Sequence, residues 1–188
     1  MADPISIVLI YGSVRPGRFC DRVVAWASAR IRRDPRFDLD VLDPATLALT
    51  GADSAAPALA AVKAQLDRAE AFVIVTPEYN HSFPGALKLL IDAFSAEWQA
   101  KPVAFVSYGG VSGGLRAVEH LRHVFAELHA VTMRDGVSLT NPWSRLADPA
   151  DAPDGADQAL SVLLGRLAWW AQSLRAARHS SAYADAVA

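Results

Sequence analysis

"AFVIVTPEYNHSFPGALKLLIDAF", residues 71–94, passes from a short β-branched apolar run to apolar positions at helical spacing, Leu87, Leu90, Ile91 and Phe94. Between them lie Pro77, Glu78, Tyr79, Asn80, His81, Ser82, Phe83, Pro84 and Gly85. A strand with no polar alternation is one buried on both faces, as inside a parallel sheet. A buried strand followed by a buried helix is a βα unit. The polar and aromatic residues crowded into its joint sit where the strand leaves the core, at its carboxyl end.

Outward from this unit the same alternation repeats. "ISIVLIY" (5–11) reads as a continuous apolar strand, 18–33 as a helix and "FDLDVL" (37–42) as a second strand. Residues 43–55 read as loop, 57–69 as an amphipathic helix, 71–76 as the third strand and 84–96 as the third helix. "PVAFVSY" (102–108) is the fourth strand, 112–129 the fourth helix and "VTMRDGVSL" (131–139) the fifth strand. A proline- and aspartate-rich loop containing "NPWSRLADPADAPDG" follows, then a long helix over 156–178 and a tail, 179–188, expected to fray. Alternating strands and helices give right-handed crossovers and a three-layer α/β sandwich. Five strands and five helices fit a doubly wound, five-stranded parallel sheet of order 2-1-3-4-5, with residues 1–188 as one domain. In such a sheet the loops after strands 1, 3 and 4 crowd together at the carboxyl edge, where ligands bind.

The composition narrows the function. The 188 residues carry a net charge of −2 with both signs interspersed and no basic stripe, so nucleic acid is not the expected partner. Although 52% of residues are hydrophobic, no window approaches a membrane span. The start, "MADPISIVLIYGS", lacks a basic leader and reads as a strand rather than a signal peptide. The one cysteine, Cys20, permits no intrachain disulfide and suits a reducing, cytoplasmic setting.

The first of the three loops is "GSVRPGR", Gly12 to Arg18. Unpaired N–H groups at a helix start form an anion site. Ser13 can add a hydroxyl, and Arg15 and Arg18 can add charge-assisted hydrogen bonds. The spacing is neither a Walker loop nor G-x-G-x-x-G, which argues against ATP and against a dinucleotide fingerprint. In the second loop Pro77 and Pro84 stiffen the chain, Tyr79 and Phe83 offer flat faces, and Glu78 and Asn80 offer hydrogen bonds. The third, "SYGGVSGG" from Ser107 to Gly114, exposes backbone at Gly109 and Gly110. Together the loops describe a ligand with a phosphate at one end and a flat, polar-edged ring at the other. FMN fits that description.

The segments "GSVRPGR", "TPEYNHSFPGALKLLIDAF" and "SYGGVSGG" resemble the signature segments of the NAD(P)H-dependent FMN reductases, a family that includes quinone, azo-dye and chromate reductases. The similarity covers residues 5–140 and is most specific from Pro77 to Gly85. It implies a flavodoxin-like fold, phosphate contacts from Ser13, Arg15 and Arg18, ring contacts from Pro77, Glu78, Tyr79 and Asn80, and a place beside the ring for Ser107, Gly109 and Gly110. It also implies NADPH or NADH as hydride donor, a small-molecule electron acceptor, and a homodimer or homotetramer. The chain departs from many members at Arg18, where serine is common nearby, and at Cys20, where asparagine is.

The chemistry so implied is ping-pong hydride transfer from NAD(P)H through the flavin to FMN, a quinone, an azo compound or a similar acceptor. It needs no acid, base or nucleophile from the protein, so no catalytic side chain is expected. Hydrogen-bond donors near the ring, expected from the backbone of 77–80, are the protein's electronic lever. Other constellations are weaker. His120 and His123 lie three apart on a helix but lack further ligands, so no metal is expected. "YGSVR" is not the G-x-S-x-G elbow of a hydrolase. Two alternatives remain on the same fold, an FMN electron carrier of the flavodoxin type and a non-enzymatic FMN-binding module.

Overall fold

The computed structural model describes residues 3–49, 56–146, 148 and 152–187. Strands β1 (Ile5–Tyr11), β2 (Phe37–Leu42), β3 (Ala71–Pro77), β4 (Pro102–Gly109) and β5 (Val131–Thr140) form one parallel sheet. Its order is β2-β1-β3-β4-β5, as the alternation of strand and helix predicts. Helices α1 (Cys20–Ile31), α2 (Ala56–Arg68), α3 (Gly85–Asp92), α4 (Leu115–Glu127) and α5 (Ala156–Ser180) cover its two faces.

The pleat divides the core in two. Ile5, Ile7 and Leu9 of β1 face α1 and α5 with Val73, Val75 and Val106. Val8 and Ile10 face the other way, onto α2, α3 and α4, with Phe72, Ile74 and Phe105. Every residue of β3 and β4 is buried, which explains their nearly unbroken apolar sequence. Each large apolar side chain among them, such as Phe72, Ile74 or Phe105, contributes roughly 1.5–3 kcal/mol. The strand β5 is at the sheet edge and alternates instead.

Three helices are shorter than their periodicity suggests. The third ends at Asp92 rather than 96, and Trp98 supplies the reason. Its indole N–H donates to the Ile91 and Phe94 carbonyls, at 3.2 and 3.1 Å, just where the helix end leaves carbonyls short of intrahelical donors. The ring meanwhile packs edge-on against Phe72 and Phe125, with centroids 4.7 and 5.5 Å away. The fourth helix starts at Leu115 rather than 112 because Gly114 is left-handed, with φ +88. A Cβ there would lie 2.7 Å from Ser107 Cβ, so only glycine fits. The first helix starts at Cys20 rather than 18, and the Arg18 side chain before it is folded in against Asp43 and the Ser13 carbonyl.

At the other end, α5 runs on to Ser180, and a 3-10 turn spans Tyr183–Val187. The Tyr183 hydroxyl bonds His129 Nδ1 at 2.8 Å, which ties this turn to the residues just past α4. The expected loop over 43–55 lies partly outside the described residues; within them, Pro44–Thr46 form a 3-10 turn capped by Asp43.

Candidate functional site

The first loop is built against β3. Gly12 N–H donates to the Val75 carbonyl at 2.7 Å, and a Cβ on Gly12 would lie 2.8 Å from Thr76 Cα. With no side chain in the way, the turn runs along β3 and delivers Ser13, fully buried, beside the second loop. Ser13 Oγ lies 2.8 Å from the Tyr79 hydroxyl and accepts a long hydrogen bond from the Arg15 N–H. The Arg15 guanidinium lies over the Tyr79 ring, 3.6 Å from its centroid. It forms no ion pair among the described residues and is exposed.

Arg18 differs from the expectation that it is a free phosphate ligand. Its guanidinium pairs with both oxygens of Asp43, with Asp21 Oδ1 at 2.9 Å and with the Ser13 carbonyl, and it stacks over Tyr11. Four of its five N–H donors are thereby engaged. Burial alone would raise the Asp43 carboxyl, but Arg18 and the Ala45 N–H outweigh it and hold the group below its usual range. Arg18 lines the cleft and also holds the Ser13 carbonyl of the first loop.

The second loop is a miniature hairpin. Tyr79 and Ser82 exchange backbone hydrogen bonds of 2.8 and 3.0 Å, with Asn80 (φ 50) and His81 (φ 66) both left-handed between them. That is the pattern of a type I′ turn, in which asparagine at the first central position is favoured. The hairpin commits most of the backbone donors expected to face a ring. Pro77 has none, the Glu78 N–H donates to the Tyr108 carbonyl at 3.1 Å, and the Tyr79 N–H goes to Ser82. The Asn80 N–H alone in 77–80 makes no hydrogen bond among the described residues.

The Glu78 carboxylate turns away from the cleft. It accepts from Ser112 Oγ at 2.7 Å and from the Arg116 N–H at 3.1 Å, and pairs with the Arg116 guanidinium at 2.6 Å. It therefore caps the start of α4 and ties the second loop to the third. Burial would raise this carboxyl; the Ser112 and Arg116 donors together bring it below its ordinary value.

Ser107 is buried and donates to the Gly113 carbonyl at 2.9 Å, so it braces the third loop from beneath rather than facing the cleft. Gly109 and Gly110 do face it. A cleft of about 290 Å³ is lined by residues of all three loops, including Arg15, Arg18, Pro77, Glu78, Tyr79, Gly109 and Gly110. Phe19, Tyr108 and Trp143 form its aromatic wall. Of the ten residues singled out in the sequence, the seven above line this cleft. Ser13 lies under it, Asn80 sits at the exposed hairpin tip, and Ser107 is set behind it. Trp143 was missed; the signal available was its place just past the carboxyl end of strand 5, at the edge where ligands gather.

The family model described as "NADPH-dependent FMN reductase" matches residues 5–144, three quarters of the chain. The chain belongs to the NADPH-dependent FMN reductase family. It is an enzyme of that family, whose members use FMN and NAD(P)H. It is 32% identical to the quinone reductase of Escherichia coli K12 over 89% of this chain and 94% of that protein. It is 30% identical to an NAD(P)H-dependent FMN reductase of Schizosaccharomyces pombe over 77% and 80% of the two chains. The fold is also that of the NAD(P)H:(acceptor) oxidoreductase FerB from Paracoccus denitrificans, with a TM-score of 0.74, 21% identity, and 90% and 98% of the two chains covered.

Elsewhere in this FMN reductase fold, several chemistry-bearing side chains are committed to structure. Cys20 is fully buried, and its burial pushes the thiol up to about 11, so it is not a thiolate at neutral pH. His120 Nδ1 bonds Ser82 Oγ at 2.9 Å and so holds the hairpin to α4. Trp169 and Trp170 are both exposed and pack edge-on to each other. A larger cleft, about 490 Å³, lies between α2 and the segment after α3, away from the three loops. A 2.7 Å Lys63–Glu97 pair closes one side of it. No described helix is long and apolar enough to cross a membrane.

Proposed function

We propose that this protein is an FMN-dependent NAD(P)H reductase of small planar acceptors, quinones first among them, working through the cleft between Arg15, Tyr79 and Gly109. The observation that carries the reading is the meeting of an uncommitted guanidinium, a buried hydroxyl and a flat glycine backbone in one cleft. The donor set fits FMN. Ser13, Arg15 and the N–H groups of the first loop suit its phosphate. The 77–80 hairpin, Gly109 and Gly110 suit its ring, with the Asn80 N–H as the free backbone donor.

When bound, FMN supplies hydride chemistry, so that NAD(P)H, a quinone and a proton become NAD(P)⁺ and a hydroquinone. The protein's share is binding, orientation and electrostatics. Arg18 and Asp43 hold the first loop in shape, Glu78 locks the second loop to the third, and Ser107 braces the glycine turn from below. A cleft of about 290 Å³ is on the scale of one flat ring system, and donor and acceptor are expected to use the exposed face of the bound ring in turn. Quinone reduction is favoured as the acceptor class because relatives named for it match along most of their length. A homodimer or homotetramer and a cytoplasmic setting belong to the same reading. Val111 and Leu115, left in water beside the third loop, support the association.

The test is the absorbance spectrum of the protein reconstituted with FMN, followed without air as NADPH and then a quinone are added. The reading expects retained yellow colour, bleaching by NADPH and return of the colour with quinone. Retained FMN that NADPH does not bleach would indicate an electron carrier, and failure to retain FMN would indicate a different ligand.

A further inference from the structure

Trp143 stands in the short 3-10 turn Pro142–Ser144 after β5 and leaves 48% of its surface in water. So large an aromatic is an expensive residue to leave wet, and it is not loosely held. Its ring meets Phe19 at 4.8 Å and 77°, and Tyr108 at 6.0 Å and 81°, so two rings pin it edge-on. The preceding Asn141 donates its N–H to the Gly109 carbonyl at 2.8 Å, which ties the turn to the glycine floor of the cleft. Arg145 and Leu146 N–H both return to the Pro142 carbonyl, and Leu146 is fully buried, so the turn is anchored behind the indole as well. The indole N–H makes no hydrogen bond among the described residues.

The geometry points to Trp143 as a specificity-determining residue that stacks a flat quinone in the cleft and offers its N–H to a quinone oxygen. This rests on the reductase reading above and adds the residue that selects the acceptor. A fixed aromatic face with a free donor at its rim matches a planar ring bearing carbonyl oxygens. The surrounding wall is apolar on the Phe19 and Tyr108 side, which favours a neutral ring over a charged one. An acceptor without a flat face gains nothing from this wall.

The test compares Trp143→Ala and Trp143→Phe with the unaltered protein, each loaded with FMN, using a naphthoquinone and ferricyanide as acceptors. Trp143→Ala is expected to raise the quinone KM about tenfold, the scale of a lost aromatic stacking contact. The ferricyanide rate is expected to change far less than the quinone KM, and the elution volume on size exclusion is expected to hold. Trp143→Phe is expected to recover part of the quinone KM, because it keeps a face but not the donor. Equal effects on both acceptors, no effect on either, loss of FMN affinity, or a changed oligomeric state would each overturn the assignment. If the unaltered protein itself fails to bind FMN, the reductase reading fails first and the assignment falls with it; that outcome is read before any variant is compared.

Discussion

The Arg15 guanidinium lies 3.6 Å above the Tyr79 ring, while the Tyr79 hydroxyl lies 2.8 Å from Ser13 Oγ. The aromatic ring thus joins the two phosphate-friendly residues of the first loop to the hairpin of the second. Arg15 rests on a surface it can leave at low cost, since an exposed cation–π contact is worth about 0.5–1 kcal/mol. A charged hydrogen bond to a phosphate is worth about 1.5–3 kcal/mol. Arg15→Ala is therefore expected to weaken FMN binding by about ten- to a hundredfold with little change in melting temperature. Fluorescence titration with FMN checks this; unchanged affinity removes Arg15 from the phosphate site.

Arg18→Ala is expected to act on the fold. It leaves the partly buried Asp43 without its cation, and breaking such a pair costs about 3 kcal/mol. Denaturant unfolding is the measurement. The pair also sets an acid dependence. The Asp43 carboxyl is depressed in the folded state, so its contribution is full above the unfolded value near 4 and is lost as pH falls through the folded one. The variant loses that part of the acid sensitivity. A stability loss below about 0.5 kcal/mol, the level of an exposed pair, would contradict the clamp.

Glu78→Gln keeps the side-chain shape but removes the charge that caps α4. Gln offers one acceptor oxygen where Glu offers two, so losing the charge and one acceptor is expected to cost about 1–3 kcal/mol and to speed hydrogen exchange at the Arg116 amide. Because the Glu78 carboxyl is also depressed when folded, the unaltered protein shows the same loosening as pH drops below about 4. Exchange rates equal to the unaltered protein's at neutral pH would show that the cap is idle.

These residues mark how far the sequence could be read. The order of the sheet was legible because β1, β3 and β4 are apolar nearly throughout, a pattern that a doubly covered parallel sheet needs. The meeting of Arg15, Tyr79 and Gly109 followed from that order, since their strands are neighbours. Direction was not legible. Arg18 and Glu78 carry side chains that fit a ligand contact, but each turns to a partner distant in sequence, Asp43 or Arg116. Ser107 points beneath its loop because Gly113 and Gly114 fold over it, which spacing does not record. Nor does it record that the Glu78 and Tyr79 amides are consumed by Tyr108 and Ser82, leaving the Asn80 amide free.

Lys101 gives a test far from the cleft. It is 6% exposed, and its Nζ donates to the Leu66 and Asp67 carbonyls at 2.7 and 3.0 Å, closing the last turn of α2. Burial, helped by Arg178, brings its amine down to about 8. Between about 8 and the unfolded value near 10.4 the unfolded chain holds a proton that the folded one has shed, so stability rises with pH in that window. Lys101→Met is expected to flatten this rise in denaturant unfolding. A slope that survives the substitution would assign it to another group.

The most direct measurement of the central claim is a crystal structure of the protein with FMN. The phosphate is predicted within hydrogen-bonding distance of Ser13 and Arg15, with the ring lying between the Tyr79–Ser82 hairpin and the Gly109–Gly110 backbone. A flavin bound elsewhere, or one whose phosphate leaves Arg15 still stacked on Tyr79, would contradict the account.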